Sequence, residues 1–111
     1  RARRPALGGS DPLLEGGPIA LDAAAHRVTA GGSSVDLTVK EFELLRVLMQ
    51  NAGRVLSRAQ LFEAVWGSEF MGATRTVDVH MQTLRQKLDR ARPDTAALIE
   101  TVRGVGYRFK A

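Results

Sequence analysis

Apolar residues recur at helical spacing in two segments in the middle of the chain. In the first segment, Thr38 and Glu41 fit a capping box, and the apolar pattern stops at residues 51–53. In the second segment, Ser57 and Gln60 repeat this capping logic, and a glycine at position 67 ends the pattern. The apolar sets are Phe42, Leu45, Val47, Leu48 and Met49 in the first segment and Leu61, Phe62, Val65 and Trp66 in the second. Each segment therefore predicts an amphipathic helix.

A third helix is predicted from about Thr76 to about Arg90. Its apolar residues fall within about 60° of one another when each residue advances by 100°; they are Val77, Met81, Leu84 and Leu88. The opposite side carries side chains that can bond bases or phosphates or, for a valine, touch a thymine methyl. These outward residues are Arg75, Val79, Gln82, Thr83, Gln86 and Arg90, with Arg85 and Lys87 flanking the apolar stripe. The pattern indicates a nucleic-acid-binding face, although an ordinary surface helix has the same polarity.

The N-terminal third combines turn-forming residues with short alternating segments. Residues 1–17 are rich in glycine and proline and predict an interdomain linker, the tail of a missing domain. Residues 18–37 carry three short β segments, and the glycine pair at 31–32 predicts a tight turn between the second and third. We therefore expect a folded domain over residues 18–111 that begins with a small antiparallel sheet.

The C-terminal residues predict a β-hairpin. Strands are expected over residues 98–102 and 107–109, joined by Arg103-Gly104-Val105-Gly106. An arginine between glycines suits a narrow groove of nucleic acid, because glycines let the backbone approach and the guanidinium seeks negative potential. Arg103 is therefore a candidate groove contact.

The charge distribution strengthens the case for a polyanionic partner. The chain has 111 residues, which is the length of a single domain, and its formal net charge is +4. Residues 75–111 contain eight basic and four acidic side chains, so the positive charge is concentrated in the last third. No apolar run approaches the roughly 20 residues that cross a bilayer. We expect a one-domain, cytoplasmic protein.

Catalytic and metal-binding patterns are not apparent in the sequence. The absence of cysteine excludes a disulfide framework, a thiolate zinc site and cysteine catalysis. His26 and His80 are far apart, and neither has a second ligand at helical spacing. No serine lies in a nucleophile elbow, and no glycine loop matches a phosphate-binding fingerprint. We therefore expect no enzyme activity, no metal and no cofactor.

A polar-faced helix followed by a basic hairpin describes a winged helix-turn-helix, a double-stranded DNA-binding fold. Two other functions fit the same residues. The string RGVGYRF partly matches an RNA-recognition signature, although that fold has the order βαββαβ rather than three consecutive helices. The domain could also dock another protein. Steep salt dependence of duplex binding would indicate DNA, whereas a preference for single strands would indicate RNA.

Three segments resemble the C-terminal effector domain of OmpR/PhoB-type response regulators. They are LTVKEFELLRVLMQNAGRVLSRAQLFEAVW, RTVDVHMQTLRQKL and ETVRGVGYRF. The resemblance covers roughly residues 18–110, and RTVDVH and TVRGVGYRF are specific to the family. It implies an α+β fold with an N-terminal four-stranded antiparallel sheet, three helices and a C-terminal β-hairpin wing.

The resemblance also implies a role as the output half of a two-component transcription regulator. Residues 1–4 resemble the end of the family's phosphoacceptor receiver domain, which a sensor kinase phosphorylates. The third helix would enter the major groove of DNA and the wing the adjacent minor groove. The isolated domain would be monomeric and would pair on tandem promoter half-sites.

Site residues follow from the resemblance position by position. The phosphate-contacting positions are Trp66, Arg75, Thr76, Arg85, Thr101 and Tyr107. The base-contacting positions are Val79, Thr83 and Arg103, together with Gln82, which lies where either role occurs. Residues 67–74 match the loop that can touch RNA polymerase, and within them we single out Glu69, Phe70 and Met71.

The chain departs from the family at two of these positions. Many members have arginines where this chain has Gln82 and Thr83. Glutamine suits adenine and threonine suits several base edges, whereas arginine favours guanine. Guanine contacts of the family are therefore not transferred to this chain, and its target sequence stays open.

Overall fold

A computed structural model of the chain describes residues 13–67 and 75–110. The N-terminal sheet in this part of the chain is antiparallel, with neighbouring strands in chain order. Its strands are β1 (Leu13–Gly16), β2 (Ile19–Asp22), β3 (Arg27–Ala30) and β4 (Ser33–Val35). The predicted turn at residues 31–32 joins β3 to β4, and both glycines have positive φ angles, 60° and 86°. The expected four-stranded sheet is confirmed.

The strand β1 lies inside the segment that we expected to be a linker. Leu14 lies opposite Leu21 of β2 and packs against the core. The folded domain therefore includes residues 13–16, which corrects its predicted start at residue 18. A four-residue edge strand next to glycines is too short to show an alternation in the sequence. Residues 1–12 lie outside the described residues.

Three α-helices follow in the described part of the chain: α1 (Val39–Gln50), α2 (Arg58–Trp66) and α3 (Arg75–Ala91). Both predicted capping boxes are present, at Thr38 with Glu41 and at Ser57 with Gln60. Gly67 ends α2 with a φ of 91°. The predicted bounds of α3 are correct to within one residue at each end. None of the described helices is long and apolar enough to span a membrane.

The C-terminal strands belong to a second sheet. It contains β5 (Val55–Ser57), β6 (Ile99–Val102) and β7 (Gly106–Phe109), in the order β5-β7-β6 with antiparallel pairing. The predicted hairpin is confirmed, and a 3₁₀ turn (Thr95–Leu98) precedes it. The strand β5 was not predicted, because a segment of three residues before a helix cap is too short to show an alternation of apolar and polar residues. The described elements form the predicted winged helix-turn-helix, and their order differs from βαββαβ.

The predicted apolar stripe of α3 is completely buried. Val77, Met81, Leu84 and Leu88 are each at most 1% exposed, and α3 packs against both α1 and α2. Leu44 of α1 is also fully buried, although the sequence pattern did not single it out. Burial of the stripe fixes the rotation of α3 about its axis.

Two sets of hydrogen bonds join α3 to the wing sheet. Asp78 Oδ1 accepts from the Tyr107 hydroxyl at 2.6 Å and from Arg58 Nε of α2 at 2.8 Å. Farther along α3, Arg85 Nη2 donates to the Ile99 carbonyl at 2.9 Å and to Thr101 Oγ1 at 2.6 Å. The helix is therefore held against β7 and β6 at two points about two turns apart.

Gly106 is required where β7 crosses β5. A Cβ atom at this position would lie 2.0 Å from the Leu56 carbonyl oxygen. A backbone atom cannot move away as a flexible side chain can, so the close pairing of β5 and β7 requires glycine at position 106.

We expect Gly106→Ala to lower the free energy of unfolding by at least about 3 kcal/mol, the upper range for overpacking. Urea unfolding followed by circular dichroism measures this. Gly104→Ala is the control, because nothing lies within 4 Å of a Cβ there and only its positive φ is strained; we expect a loss of about 1–2 kcal/mol. Equal losses in the two variants would show that the contact with Leu56 is not the reason.

We also expect the Asp78 network to make stability depend on acid pH. Burial is the largest single influence and raises the pKa of Asp78, but hydrogen bonds from Tyr107 and Arg58 together lower that pKa below its ordinary value of 3.8. A carboxyl whose pKa is lower in the folded state stabilises the fold above the ordinary pKa and loses this contribution as pH falls toward the folded value. Stability should therefore decline less steeply below pH 3.8 in Asp78→Asn than in the parent. Urea unfolding at a series of pH values measures this, and parallel declines would contradict it.

Candidate nucleic-acid interface

The side of α3 opposite the buried stripe faces outward. Val79 is 58% exposed. The polar residues on this side are also exposed; they are Arg75, Gln82, Gln86 and Arg90. The predicted base-contacting positions Val79 and Gln82 therefore lie together on an accessible helical surface, which we call the outer face of α3.

Thr83, the third predicted base contact on α3, is only partly accessible. Its hydroxyl lies 2.5 Å from Glu41 Oε2 and 3.0 Å from the His80 carbonyl. Lys87, one turn farther on, places Nζ 2.7 Å from Glu41 Oε1. Both side chains are therefore turned toward α1. The sequence analysis identified Glu41 only as a capping residue and did not predict these contacts.

Glu41 is ionised in this cluster despite its burial. Desolvation is the largest single influence and raises the pKa of Glu41, but hydrogen bonds from Lys87, Thr83 and the Thr38 backbone together lower it below its ordinary value. The residue is 3% exposed. A buried charge of this kind is tolerated because it is paired and hydrogen-bonded.

Three predicted phosphate contacts lie together between α3 and the wing. The Arg85 guanidinium lies 5.3 Å from the centre of the Tyr107 ring and donates to Thr101. Tyr107 is 5% exposed, and its hydroxyl donates to Asp78. Burial and the nearby Asp78 raise the pKa of Tyr107, so its proton stays in place. All three residues have partners within the protein, and of the three only Thr101 is exposed.

The remaining predicted phosphate contacts surround the first turn of α3. Trp66 at the end of α2 stacks on Phe62 and meets the His80 ring edge-on, with centroids 5.0 Å apart. His80 Nδ1 lies 2.9 Å from the Thr76 carbonyl, which fixes the ring. Lys40 Nζ lies 5.6 Å from the centre of the Trp66 ring. Lys40 therefore adds a positive charge beside the predicted phosphate contacts, and this charge was not predicted from the sequence.

The tip of the wing is exposed. Arg103 and Gly104 lie in the turn between β6 and β7, and Gly104 has a φ of 76°. Val105 is 47% exposed, with its backbone N–H donating to the Val102 carbonyl at 3.0 Å. The tip therefore presents an apolar side chain beside the predicted arginine, a feature that the sequence analysis did not single out.

The predicted polymerase-contact residues Glu69, Phe70 and Met71 lie outside the described residues. Within residues 13–67 and 75–110, no group of three or more histidine or acidic side chains could hold a metal ion.

Comparisons with known sequences identify relatives over most of the chain. A family model described as transcriptional regulatory protein, C terminal, matches residues 32–109. Sensory transduction protein RegX3 of Mycobacterium tuberculosis is 46% identical over 101 residues, which is 91% of this chain and 44% of the relative. Transcriptional regulatory protein ResD of Bacillus subtilis is 48% identical over 92 residues, 83% of this chain and 38% of the relative. The chain thus spans less than half of these relatives.

Solved structures share the fold. The Klebsiella pneumoniae RstA DNA-binding domain, crystallised in complex with the RstA box, has a TM-score of 0.76 and 33% identity over 88% of this chain and 96% of its own. Response regulator DrrB of Thermotoga maritima, described as an OmpR/PhoB homologue, has a TM-score of 0.77 and 34% identity over 90% of this chain and 45% of its own. Together with the family match, these relatives place the chain in the OmpR/PhoB class of response regulators, as a C-terminal winged-helix DNA-binding domain.

Proposed function

We propose that this domain binds a specific double-stranded DNA sequence with the outer face of α3 in the major groove and the wing in the adjacent minor groove. The observation that carries the proposal is the exposed outer face of α3, which lies opposite a fully buried stripe and beside a wing with an exposed arginine. A major groove about 12 Å wide admits one α-helix. The structure of RstA bound to the RstA box supports this arrangement by analogy.

The base contacts in this proposal come from both elements. Val79 touches a thymine methyl, and Gln82 hydrogen-bonds an adenine edge. Thr83 lies one turn beyond Val79 on the same side of α3. Arg103 enters the minor groove, which is narrow and has enhanced negative potential in A·T-rich DNA.

The phosphate contacts divide into direct and supporting residues. Arg75 is exposed at the first turn of α3, with Thr76 and Trp66 beside it. Arg85 and Thr101 bridge α3 and the wing, where the backbone between the two grooves would pass. Tyr107 is buried, and we propose that it acts by holding this bridge in place.

The whole protein extends beyond this domain in our proposal. Residues 1–12 link it to a receiver domain that a sensor kinase phosphorylates, and phosphorylation promotes pairing of two copies on tandem half-sites. The loop containing Glu69, Phe70 and Met71 contacts RNA polymerase. The protein acts in the cytoplasm, where promoter DNA is accessible, and it needs no cofactor and catalyses no reaction.

We expect the isolated domain to bind duplex DNA with a strong dependence on salt. Each phosphate that a lysine or arginine neutralises contributes about −0.9 to the slope of log affinity against log salt concentration. Fluorescence anisotropy with a random-sequence duplex and with the matching single strand measures this. Binding that does not change with salt would instead indicate a protein-docking module, and tighter binding of the single strand would indicate RNA-type recognition.

We expect three substitutions to have different effects on a panel of single-base operator variants. Gln82→Ala should relax discrimination at one or two base pairs, by about 1–3 kcal/mol each. Arg75→Ala should weaken all sequences equally and reduce the salt slope by about one phosphate. Arg103→Ala should remove the preference for an A·T-rich step beside the major-groove site.

The panel uses duplexes derived from a sequence selected from a random pool, measured at two salt concentrations. Arg75→Ala tests a phosphate contact better than Arg85→Ala does, because loss of the Arg85 side chain would also break its hydrogen bonds to Ile99 and Thr101. A uniform loss of affinity in Gln82→Ala would overturn the assignment of the outer face of α3 to base contacts.

A further inference from the structure

We propose that Glu41 is a positioning residue that determines which base Thr83 prefers. Glu41 holds the hydroxyl of Thr83, so that Thr83 presents its methyl group to a thymine. The inference rests on the proposed binding of DNA by the outer face of α3. Glu41 itself is buried in the first turn of α1 and is therefore inaccessible to DNA.

The Glu41 carboxylate is satisfied by three donors. Oε1 accepts from the Thr38 backbone N–H at 2.9 Å and from Lys87 Nζ at 2.7 Å. Oε2 accepts from the Thr83 hydroxyl at 2.5 Å. Charge-assisted O–H···O⁻ bonds have this short length and are about twice as strong as neutral ones. The carboxylate therefore fixes two side chains of α3 from a neighbouring helix.

Capping alone does not require a charged residue at this position. In α2 the same capping box is completed by Gln60, whose neutral Oε1 accepts from the Ser57 N–H at 2.8 Å. The negative charge of Glu41 therefore serves its other two partners, Thr83 and Lys87.

The bond to Glu41 limits what Thr83 can offer a base. A hydroxyl has one proton, and in Thr83 that proton is directed to a carboxylate or to the His80 carbonyl inside the protein. The hydroxyl can then no longer donate to a base, although its oxygen can still accept a hydrogen bond. In this proposal the γ-methyl is the group that meets a base edge, and its natural partner is the thymine methyl. Val79, exposed and four residues earlier, lies on the same side of the helix. Each side chain favours thymine at the base position that it faces, so Thr83 sets the preference at its own position.

Glu41 also withholds a positive charge from the DNA backbone. Lys87 flanks the outer face of α3, but its ammonium group is paired with Glu41. Loss of the carboxylate charge would release Lys87 toward phosphates, which adds sequence-independent affinity. Glu41 therefore favours discrimination between sequences at the expense of total affinity.

The first test compares Glu41→Gln with the control Glu43→Gln. Both remove one negative charge from α1, but Glu43 pairs with Arg46 on the same helix rather than with a residue of α3. We expect Glu41→Gln to reduce discrimination at one thymine position by about five- to tenfold. It should also steepen the salt slope by about 0.9, while Glu43→Gln leaves the base profile unchanged.

The second test separates the methyl of Thr83 from its hydroxyl. Thr83→Val keeps a methyl in the rotamer that helices favour for valine, so we expect it to retain the thymine preference. Thr83→Ser keeps only the hydroxyl and should lose that preference. In the Glu41→Gln background, Thr83→Val should restore discrimination, because valine does not need the carboxylate to hold its orientation.

All variants are measured by anisotropy on the selected duplex and its single-base variants, with thermal unfolding recorded for each. Identical base profiles for Glu41→Gln and Glu43→Gln would overturn the inference, as would a thymine preference that survives in Thr83→Ser and is lost in Thr83→Val. If Glu41→Gln does not fold, the comparison of Thr83→Val with Thr83→Ser tests the inference. If the parent domain itself does not bind duplex DNA, the proposed function fails rather than this inference.

Discussion

The orientation of the outer face of α3 depends on the complete burial of one stripe of this helix. Val77, Met81, Leu84 and Leu88 are removed from water, and burial of each such side chain contributes about 1.5–3 kcal/mol. Rotation of the helix by one residue would turn each of them by about 100° and bring polar side chains into the core. The same constraint that stabilises the domain therefore determines which residues of α3 face outward.

The charges of the C-terminal third are divided between internal structure and the outer surface. Arg85 and Lys87 are held by Thr101 and Glu41, and Arg108 pairs with Glu100 at 2.6 Å. Arg75 and Arg103, by contrast, are exposed at the start of α3 and at the wing tip. The net charge of a segment is thus a guide to the class of partner, whereas the residues that meet the partner depend on which cations are already paired.

Much of the fold was predictable because its signals are local. The two capping boxes each span four residues, and the stripe of α3 and the C-terminal hairpin each span about a dozen; the predicted bounds of α3 and of the hairpin strands are correct to within one residue. The strands β1 and β5 were missed because their identity depends on partners elsewhere, Leu21 for Leu14 and Tyr107 for Leu56. The bond between Glu41 and Thr83 joins residues 42 positions apart, and no periodicity encodes such a pair.

The wing combines an anchored base with an exposed tip. At its base, Gly106 lets β7 approach β5, and Tyr107 is anchored to Asp78 of α3. At its tip, Arg103 and Gly104 are exposed. A fixed base would set the spacing between α3 and the wing before DNA binds, which would reduce the entropy that the proposed binding must overcome. In the proposed complex, the exposed Arg103 enters the minor groove. The anchored hairpin would then determine the register of the domain on DNA.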